Sequence, residues 1–437
     1  MTTLTLNTTK MAPKAPSRNP RVLLVNDDGP PSSTSPHILP LYTALRALGW
    51  DVTVVIPSGQ RSWGSMAFSI KGNLPVWYYY PIQNNNDGSH PDTASSWSSS
   101  RRPIDHAKGE IAEWIALDGS PTTATNVGLF NTDTLFDAQS HPVTRRVSST
   151  ASTATAAGAS SSNTPAFLNP PFQSWADLVV SGPNFGRNTG SAFALSSGTL
   201  GAALSGALSG VKSIAVSYGH FAGDSGPKRP TFPNTATPGN STDAAAAAAA
   251  AAEVKTDPNA GHVVQSPPAP EHVEQLATNL TVKIIRRLWD QWEAGVQCYS
   301  VNVPLSWTLE DPKIYWTRVW ENSYPKLFRP VPLEEVRENP SRTVVSQDKD
   351  NTSRPQPALH LTFAPPMGTM LAPSQLPEGT DIWALMNGWV SVVRLNANYS
   401  HAFPSGNLER AWSDASNELG PTSTGTRPAG PGTRWML

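Results

Sequence analysis

The first strongly patterned segment, residues 21–26 (RVLLVN), is a short apolar, β-branched run of the kind that forms a strand buried on both faces. It stops at Asp27-Asp28-Gly29-Pro30-Pro31, a turn-forming cluster. Over residues 37–48 the apolar side chains Ile38, Leu41, Leu45 and Leu48 recur at helical spacing, and Gly49 supplies a C-terminal stop. Residues 51–56 (DVTVVI) read as a second strand, and the strand-helix-strand order implies a parallel pair joined by a right-handed crossover. The pattern returns downstream. Residues 177–180 form a strand, 181–190 a Gly/Asn-rich loop, about 198–208 a small-residue helix, and 212–217 (KSIAVS) another buried strand. Residues 271–294 form a helix with Leu276, Ile284, Leu288 and Trp292 on one side, and 297–303 and 389–395 complete the sheet. The alternation predicts an α/β fold: a doubly wound, mostly parallel sheet with helices on both faces, a Rossmann-like three-layer sandwich.

Length alone suggests two or three domains for 437 residues, but composition changes that estimate. Three stretches lack a core-forming pattern: about 84–102 (Asn/Ser-rich), 143–163 (Ser, Thr and Ala) and 222–270, which carries nine consecutive alanines at 244–252. Without them, roughly 250–300 patterned residues remain, enough for one large domain. The expected organisation is a disordered tail over 1–20, one large α/β domain over 21–406 interrupted by these surface insertions, and a disordered tail over 407–437.

Charge and cysteine count exclude several classes. A net charge of −1 gives no electrostatic footprint for a nucleic-acid polymer or an anionic membrane. One cysteine, Cys298, excludes a disulfide framework and any Cys-based zinc site. No apolar run approaches the roughly 20 residues of a membrane span. The first 21 residues carry Lys10, Lys14, Arg18 and Arg21 and no acid, but neither an Arg-rich amphipathic period nor an apolar signal core. The expected location is cytoplasmic, with mitochondrial targeting left open.

Ligands of a doubly wound sheet bind outside the carboxyl ends of its strands, which is where Asp27 and Asp28 fall. Adjacent carboxylates raise each other's pKa unless a cation neutralises them, and a hard ion such as Mg²⁺ or Mn²⁺ would do so. The competing reading is a solvated turn that caps the next helix. A dinucleotide turn is disfavoured, because two carboxylates and two prolines stand where a pyrophosphate would need N–H groups. In the Gly/Asn loop, Asn184 can offer a metal its side-chain oxygen without adding charge. Ser197, Gly198 and Thr199 open a helix whose hydroxyls and free N–H groups make an anion site, with ordinary N-capping as the alternative. A Cβ at Gly198 would intrude where an anion approaches the backbone. Nine histidines are present, and no pair shows metal spacing. His37, close after the Asp-Asp turn, reads as a loop histidine. Trp63, between Ser62 and Gly64, is a candidate wall for a base pocket.

Taken in order, seven segments resemble the SurE family of phosphatases and nucleotidases: Asn26-Asp27-Asp28-Gly29; Pro57 followed by Arg61-Ser62; Gly119-Ser120-Pro121-Thr122; Ser181 to Gly190 (SGPNFGRNTG); Ser197-Gly198-Thr199; Val301-Asn302-Val303-Pro304; and residues 381–392 (DIWALMNGWVSV). Pro30-Pro31 is similar to the fungal branch. The resemblance implies metal ligation by Asp27, Asp28, Ser62 and Asn184, with Asp27, Asp28 and Asn184 as the catalytic set. It implies phosphate contacts from Asn188, Ser197, Gly198 and Thr199. Ser65 is a rival to Ser62, and Asp381 matches a family acidic position that could equally be a helix N-cap. The implied cofactor is Mg²⁺ or Mn²⁺, the implied substrate a nucleoside monophosphate or other small phosphomonoester, and the implied assembly a homodimer. Thr123 and Ala124 depart from the family's Asp and Cys. The rival readings are a haloacid-dehalogenase-type phosphatase, which would want its two aspartates one residue apart, and a degenerate interaction protein that keeps the fold.

Overall fold

The structure is a computed structural model that describes residues 18–70, 72–83, 94–136, 174–221, 269–331, 336, 359–366, 376–398 and 434–435. In chain order the elements are β1 (Arg21–Val25), α1 (Ile38–Ala47), β2 (Asp51–Pro57), β3 (Val76–Tyr79), β4 (Trp97–Ser98), β5 (Trp114–Leu117), α2 (Pro121–Phe130), α3 (Thr132–Leu135), β6 (Leu178–Phe185), α4 (Ser191–Ser196) and α5 (Gly198–Leu208). They continue with β7 (Lys212–Gly219), α6 (Glu271–Asp290), β8 (Cys298–Pro304), β9 (Ile314–Thr317), β10 (Phe328–Val331), β11 (His360–Phe363), α7 (Asp381–Met386), β12 (Val390–Leu395) and β13 (Arg434–Trp435).

Eleven strands form one sheet in the order β13-β9-β12-β8-β7-β6-β1-β2-β5-β3-β4, and β10 and β11 form a separate antiparallel ribbon. The six central strands, β8 to β5, run parallel, while β12, β3, β4 and β13 pair antiparallel toward the edges. This is the expected doubly wound, mostly parallel α/β sheet. From β1 the chain builds outward through β2 and β5 on one side and through β6, β7 and β8 on the other. The β1/β6 boundary is therefore the topological switch point, where a crevice opens at the carboxyl ends of the strands.

β1 explains its own centrality. Val22 and Leu24 enter one core with Ile38, Leu41 and Leu45 of α1 and Leu280 and Ile284 of α6. Leu23 and Val25 enter the opposite core with Ala124 and Leu129 of α2 and Ala202 of α5. Alternate residues thus bury against helices on both faces, which an unbroken apolar strand requires.

Several expectations need correcting. β6 does not end at Val180 but runs on through the Gly/Asn segment to Phe185, its register to β7 shifting between Ser181 and Asn184. A Cβ on Gly182 would lie 2.2 Å from the Val216 carbonyl oxygen, so only glycine lets the two strands approach here. β5 and α2 were not expected as elements. Residues 94–102 are not an unpacked insertion: Trp97 meets Tyr79 edge-on at 5.1 Å, and Arg102 pairs with buried Glu110 at 2.6 Å over the Tyr80 ring. Arg18, assigned to the tail, pairs with Asp177 at 2.7 Å. Residues 434–435, also assigned to a tail, pair with β9. The stretches 84–93, 143–163 and 222–268 and the tails 1–17 and 407–433 lie outside the described residues.

Candidate active site

Asn26 builds the turn that follows β1. It is fully buried, its Nδ2 donating to the Gly29 carbonyl (2.7 Å) and to Ser35 Oγ (3.2 Å), while its Oδ1 accepts from Gly29 N–H (3.1 Å). Gly29 takes φ +86°, and a Cβ there would lie 2.9 Å from Gly59 Cα, so the glycine admits the loop after β2 against this turn. That loop is held in turn by Arg61 N–H, which donates to the Asp27 carbonyl at 2.7 Å. Asn26 was read only as the start of a motif. Its amide is the residue type that closes such turns on themselves, which was the available signal.

The turn delivers both aspartates into the interior, 3% and 4% exposed. Asp27 Oδ1 accepts from Thr199 Oγ1 at 2.6 Å. Burial raises its pKa to about 6, and the Thr199 hydroxyl and backbone N–H oppose that rise. Asp28 Oδ2 accepts from Phe185 N–H at 2.8 Å. Asp28 Oδ1 is buried and has no hydrogen-bond partner among the described residues. Burial, and then the charge of Asp27, push Asp28 well above the usual carboxylate range, against the opposing pull of the Phe185 N–H and the Gln60 side chain. The solvated-turn reading fails for both side chains, because neither is solvated.

Asn184 is half-buried near the end of β6, the strand beside β1 at the switch point, its Nδ2 donating to the Gly186 carbonyl at 2.8 Å. The amide nitrogen is thereby committed, and the side-chain oxygen is the atom left to act as a ligand. Asn188 is buried one loop further on. Its N–H donates to Asn302 Oδ1 (2.9 Å) and its Nδ2 to Ser217 Oγ (2.8 Å), so it fastens the loop to β8 and β7. Asn302 Nδ2 remains buried without a partner among the described residues.

The α5 terminus behaves differently from expectation. Ser197 is its N-cap, with Oγ accepting from Leu200 N–H at 3.1 Å. The anion that the helix end receives is the Asp27 carboxylate itself, through Thr199. A Cβ on Gly198 would lie 2.9 Å from both Asp27 Cβ and Oδ2, so the glycine admits a side chain of the protein. A Cβ at this position would therefore press on Asp27 itself, beside the helix end where the sequence suggested an anion would approach.

Ser62 is exposed, on a pocket of about 310 Å³ that Arg61, Phe68, Asp118 and Ser120 also line. Its loop touches Asp27 through the Arg61 backbone. Ser65, the rival, is committed elsewhere: its Oγ donates to the Leu195 carbonyl at 2.6 Å. Trp63, at φ +61°, packs edge-on against Phe193 and Phe363 rather than lining that pocket. Thr123, where the family carries Asp, accepts from Ser69 N–H at 2.8 Å and pairs with Ser120 Oγ, pinning the far end of the same loop to the start of α2. Asp381 is not an N-cap; Thr380 is, accepting from Trp383 N–H. Asp381 is buried and accepts from Gly190, Trp320 and Ile382 N–H groups, and burial raises it to about 6.

Histidines also meet near the site. His37 and His220 approach nitrogen to nitrogen at 3.3 Å, beside the ring of Phe185. Among the described residues, no three His, Cys, Asp or Glu side chains converge as a metal cluster. The Asp27/Asp28/Asn184 set, two carboxylates and one neutral oxygen, is of the kind hard divalent ions take.

A family model described as "Survival protein SurE" matches residues 22–326. Over 320 residues the chain is 27% identical to the "Probable tubulin--tyrosine ligase PBY1" of Saccharomyces cerevisiae, covering 70% of this chain and 32% of that protein. Over 198 residues it is 30% identical to the "5'-nucleotidase SurE" of Methanoculleus marisnigri, covering 45% of this chain and 48% of that one. The chain thus spans about a third of the yeast relative and about half of the archaeal one. It is also similar to the crystal structure of the SurE protein from Aquifex aeolicus, at 18% identity and a TM-score of 0.45, covering 90% of this chain and 98% of that one. With the family model matched over most of its length, and the aspartate pair that carried the resemblance standing at the switch point of the sheet, this chain belongs to the SurE survival-protein family.

Proposed function

We propose that the protein hydrolyses phosphate monoesters, nucleoside monophosphates among them, with a divalent cation, Mg²⁺ or Mn²⁺, held by Asp27, Asp28 and Asn184. The observation that carries this reading is Asp28 Oδ1. It is a buried carboxylate oxygen without a partner among the described residues, one residue from a second buried carboxylate. Burying two like charges this way costs several kcal/mol unless a cation neutralises them. Asn184, whose side-chain nitrogen is already committed, adds a neutral oxygen.

A divalent ion bound there would supply Lewis acidity toward a phosphoryl oxygen and lower the pKa of a bound water. The protein's own part is to orient and to desolvate. Thr199 fixes one Asp27 oxygen and the Phe185 N–H fixes one Asp28 oxygen, so the remaining oxygens are held without reorganisation. Asn188, bracketed by Asn302 and Ser217, would hold the loop that borders the phosphate, with Asn302 Nδ2 as an available donor. The N-terminal amides of α5 would act on the phosphate across Asp27, because that carboxylate already occupies the helix end. Ser62, on the exposed pocket rim, would complete the ligand set only from the mouth of the site. A homodimer as the working assembly, which the family resemblance implies, and a cytoplasmic location belong to the same proposal.

The test is a substrate panel of p-nitrophenyl phosphate and the nucleoside 5'- and 3'-monophosphates, assayed with Mg²⁺, with Mn²⁺ and with chelator. Metal-dependent phosphate release from at least one substrate is expected. Its absence across the panel would favour the reading of a fold kept for interaction, and trapping of a phosphoaspartate would favour a haloacid-dehalogenase-type mechanism.

A further inference from the structure

Trp63 and Ser65 are, among the described residues, the non-glycine residues that hold a positive φ, at +61° and +50°. An L side chain is disfavoured there, a bulky one most of all, and such a backbone persists only where its surroundings hold it. Ser62 comes immediately before this stretch, on the loop that follows β2.

The loop is anchored at both ends. Ser65 N–H donates to the Ser196 carbonyl at 3.0 Å, and its Oγ donates to the Leu195 carbonyl at 2.6 Å. A Cβ on Gly201 would lie 2.2 Å from the Ser65 carbonyl oxygen, so the loop rests on the backbone of α5, two residues beyond Thr199. At the other end, Arg61 N–H donates to the Asp27 carbonyl at 2.7 Å. Residues 61–65 therefore bridge the Asp27 backbone and the helix whose Thr199 hydroxyl fixes the Asp27 carboxylate. None of these hydrogen bonds needs an indole at position 63. The indole adds apolar contact: its ring meets Phe193 of α4 at 5.8 Å and Phe363 of β11 at 4.9 Å, both edge-on, with Leu327 packed on the same cluster. That contact offsets the unfavourable backbone and keeps the loop in the one shape that spans both anchors.

We propose that Trp63 is a positioning residue for the metal site. By docking its ring between α4 and β11 it holds residues 61–65 against Asp27 and α5, and so sets the affinity of the aspartate pair for a divalent ion. Phe363 acts through the same contact, which makes the β10–β11 ribbon part of the support of the site. The inference rests on the reading of Asp27 and Asp28 as metal ligands; it does not require that any particular phosphate ester be the substrate.

Calorimetric titration of Mn²⁺ into the full chain, with urea unfolding of the same metal-free samples, tests it. Trp63→Ala and Phe363→Ala should each bind Mn²⁺ about tenfold more weakly than the parent, the scale seen when residues that orient metal ligands are removed. Trp63→Phe, which keeps an aromatic ring, should recover most of the loss. The double alanine variant should bind no more weakly than Trp63→Ala alone, because the two rings act through one contact. If Trp63→Ala fails to fold, Phe363→Ala on the ribbon decides the matter. Variants that unfold at lower urea yet bind Mn²⁺ as the parent does would show a ring that only stabilises the fold, overturning the proposal while the metal site stands; fully additive losses in the double variant would overturn it as well. A parent that binds no Mn²⁺ would overturn the metal reading and this inference together.

Discussion

Thr199 donates its hydroxyl hydrogen bond to Asp27 Oδ1 at 2.6 Å, joining the first turn of α5 to the carboxylate at the end of β1 across 172 positions of sequence. This contact opposes the burial that raises Asp27, and it aims the side chain. Thr199→Val keeps the shape and removes the donor. We expect a stability loss of about 1–2 kcal/mol in metal-free protein, read from urea unfolding, and weaker Mn²⁺ binding by calorimetry. Unchanged values in both would mean the contact neither holds nor aims Asp27.

Gly198 has no room for a side chain. In Gly198→Ala the new Cβ would sit 2.9 Å from Asp27 Cβ and Oδ2, so Asp27 must shift. Metal affinity should therefore fall together with activity. A variant that loses phosphate inhibition yet binds Mn²⁺ as the parent does would show that Gly198 serves an incoming anion alone.

The sheet was legible because its strands are buried on both faces, and β1, β2, β7, β8 and β12 read as short, apolar-rich, β-branched runs. The aspartate pair was legible because polar residues that interrupt such a run at its carboxyl end have few other uses. What escaped has physical reasons. The long β6 hides behind Gly182 and Pro183, residues that normally end strands, and only pairing with β7 reveals it. α2 is packed on nearly all sides and shows little polar-apolar period, although Ser120 before Pro121 is a start signal that could have found it. The Thr199–Asp27 contact and the His37–His220 meeting join residues more than 170 positions apart, which no local pattern encodes.

Residues 94–102 give a direct check on packing. Trp97 meets Tyr79 and Trp77 edge-on, so Trp97→Ala should cost about 1–3 kcal/mol in urea unfolding. A change below a few tenths would return the segment to the class of unpacked insertions.

Asp381 sets a pH dependence. Its folded pKa, about 6, lies above the ordinary 3.8, so its contribution to stability is full below about pH 4 and is lost as pH rises through 6. Asp177, lowered by its bonds to Arg21, works in the opposite sense, so the comparison must isolate Asp381. Asp381→Asn cannot ionise and gives up the bond from Gly190 N–H. The variant should be clearly less stable than the parent at pH 4, and the gap should narrow by about 2–3 kcal/mol by pH 7. A gap constant with pH would mean that Asp381 titrates normally.

The central claim is that the buried aspartates exist to hold a metal for phosphate-ester hydrolysis. Phosphate release from a nucleoside monophosphate, measured against Mn²⁺ concentration for the parent and Asp28→Asn side by side, tests it most directly. The account predicts turnover that chelator abolishes and Mn²⁺ restores in the parent, and a folded Asp28→Asn protein whose rate stays at the chelated level until far higher Mn²⁺. Equal metal dependence in both proteins, or turnover in the parent that chelator leaves untouched, would contradict it.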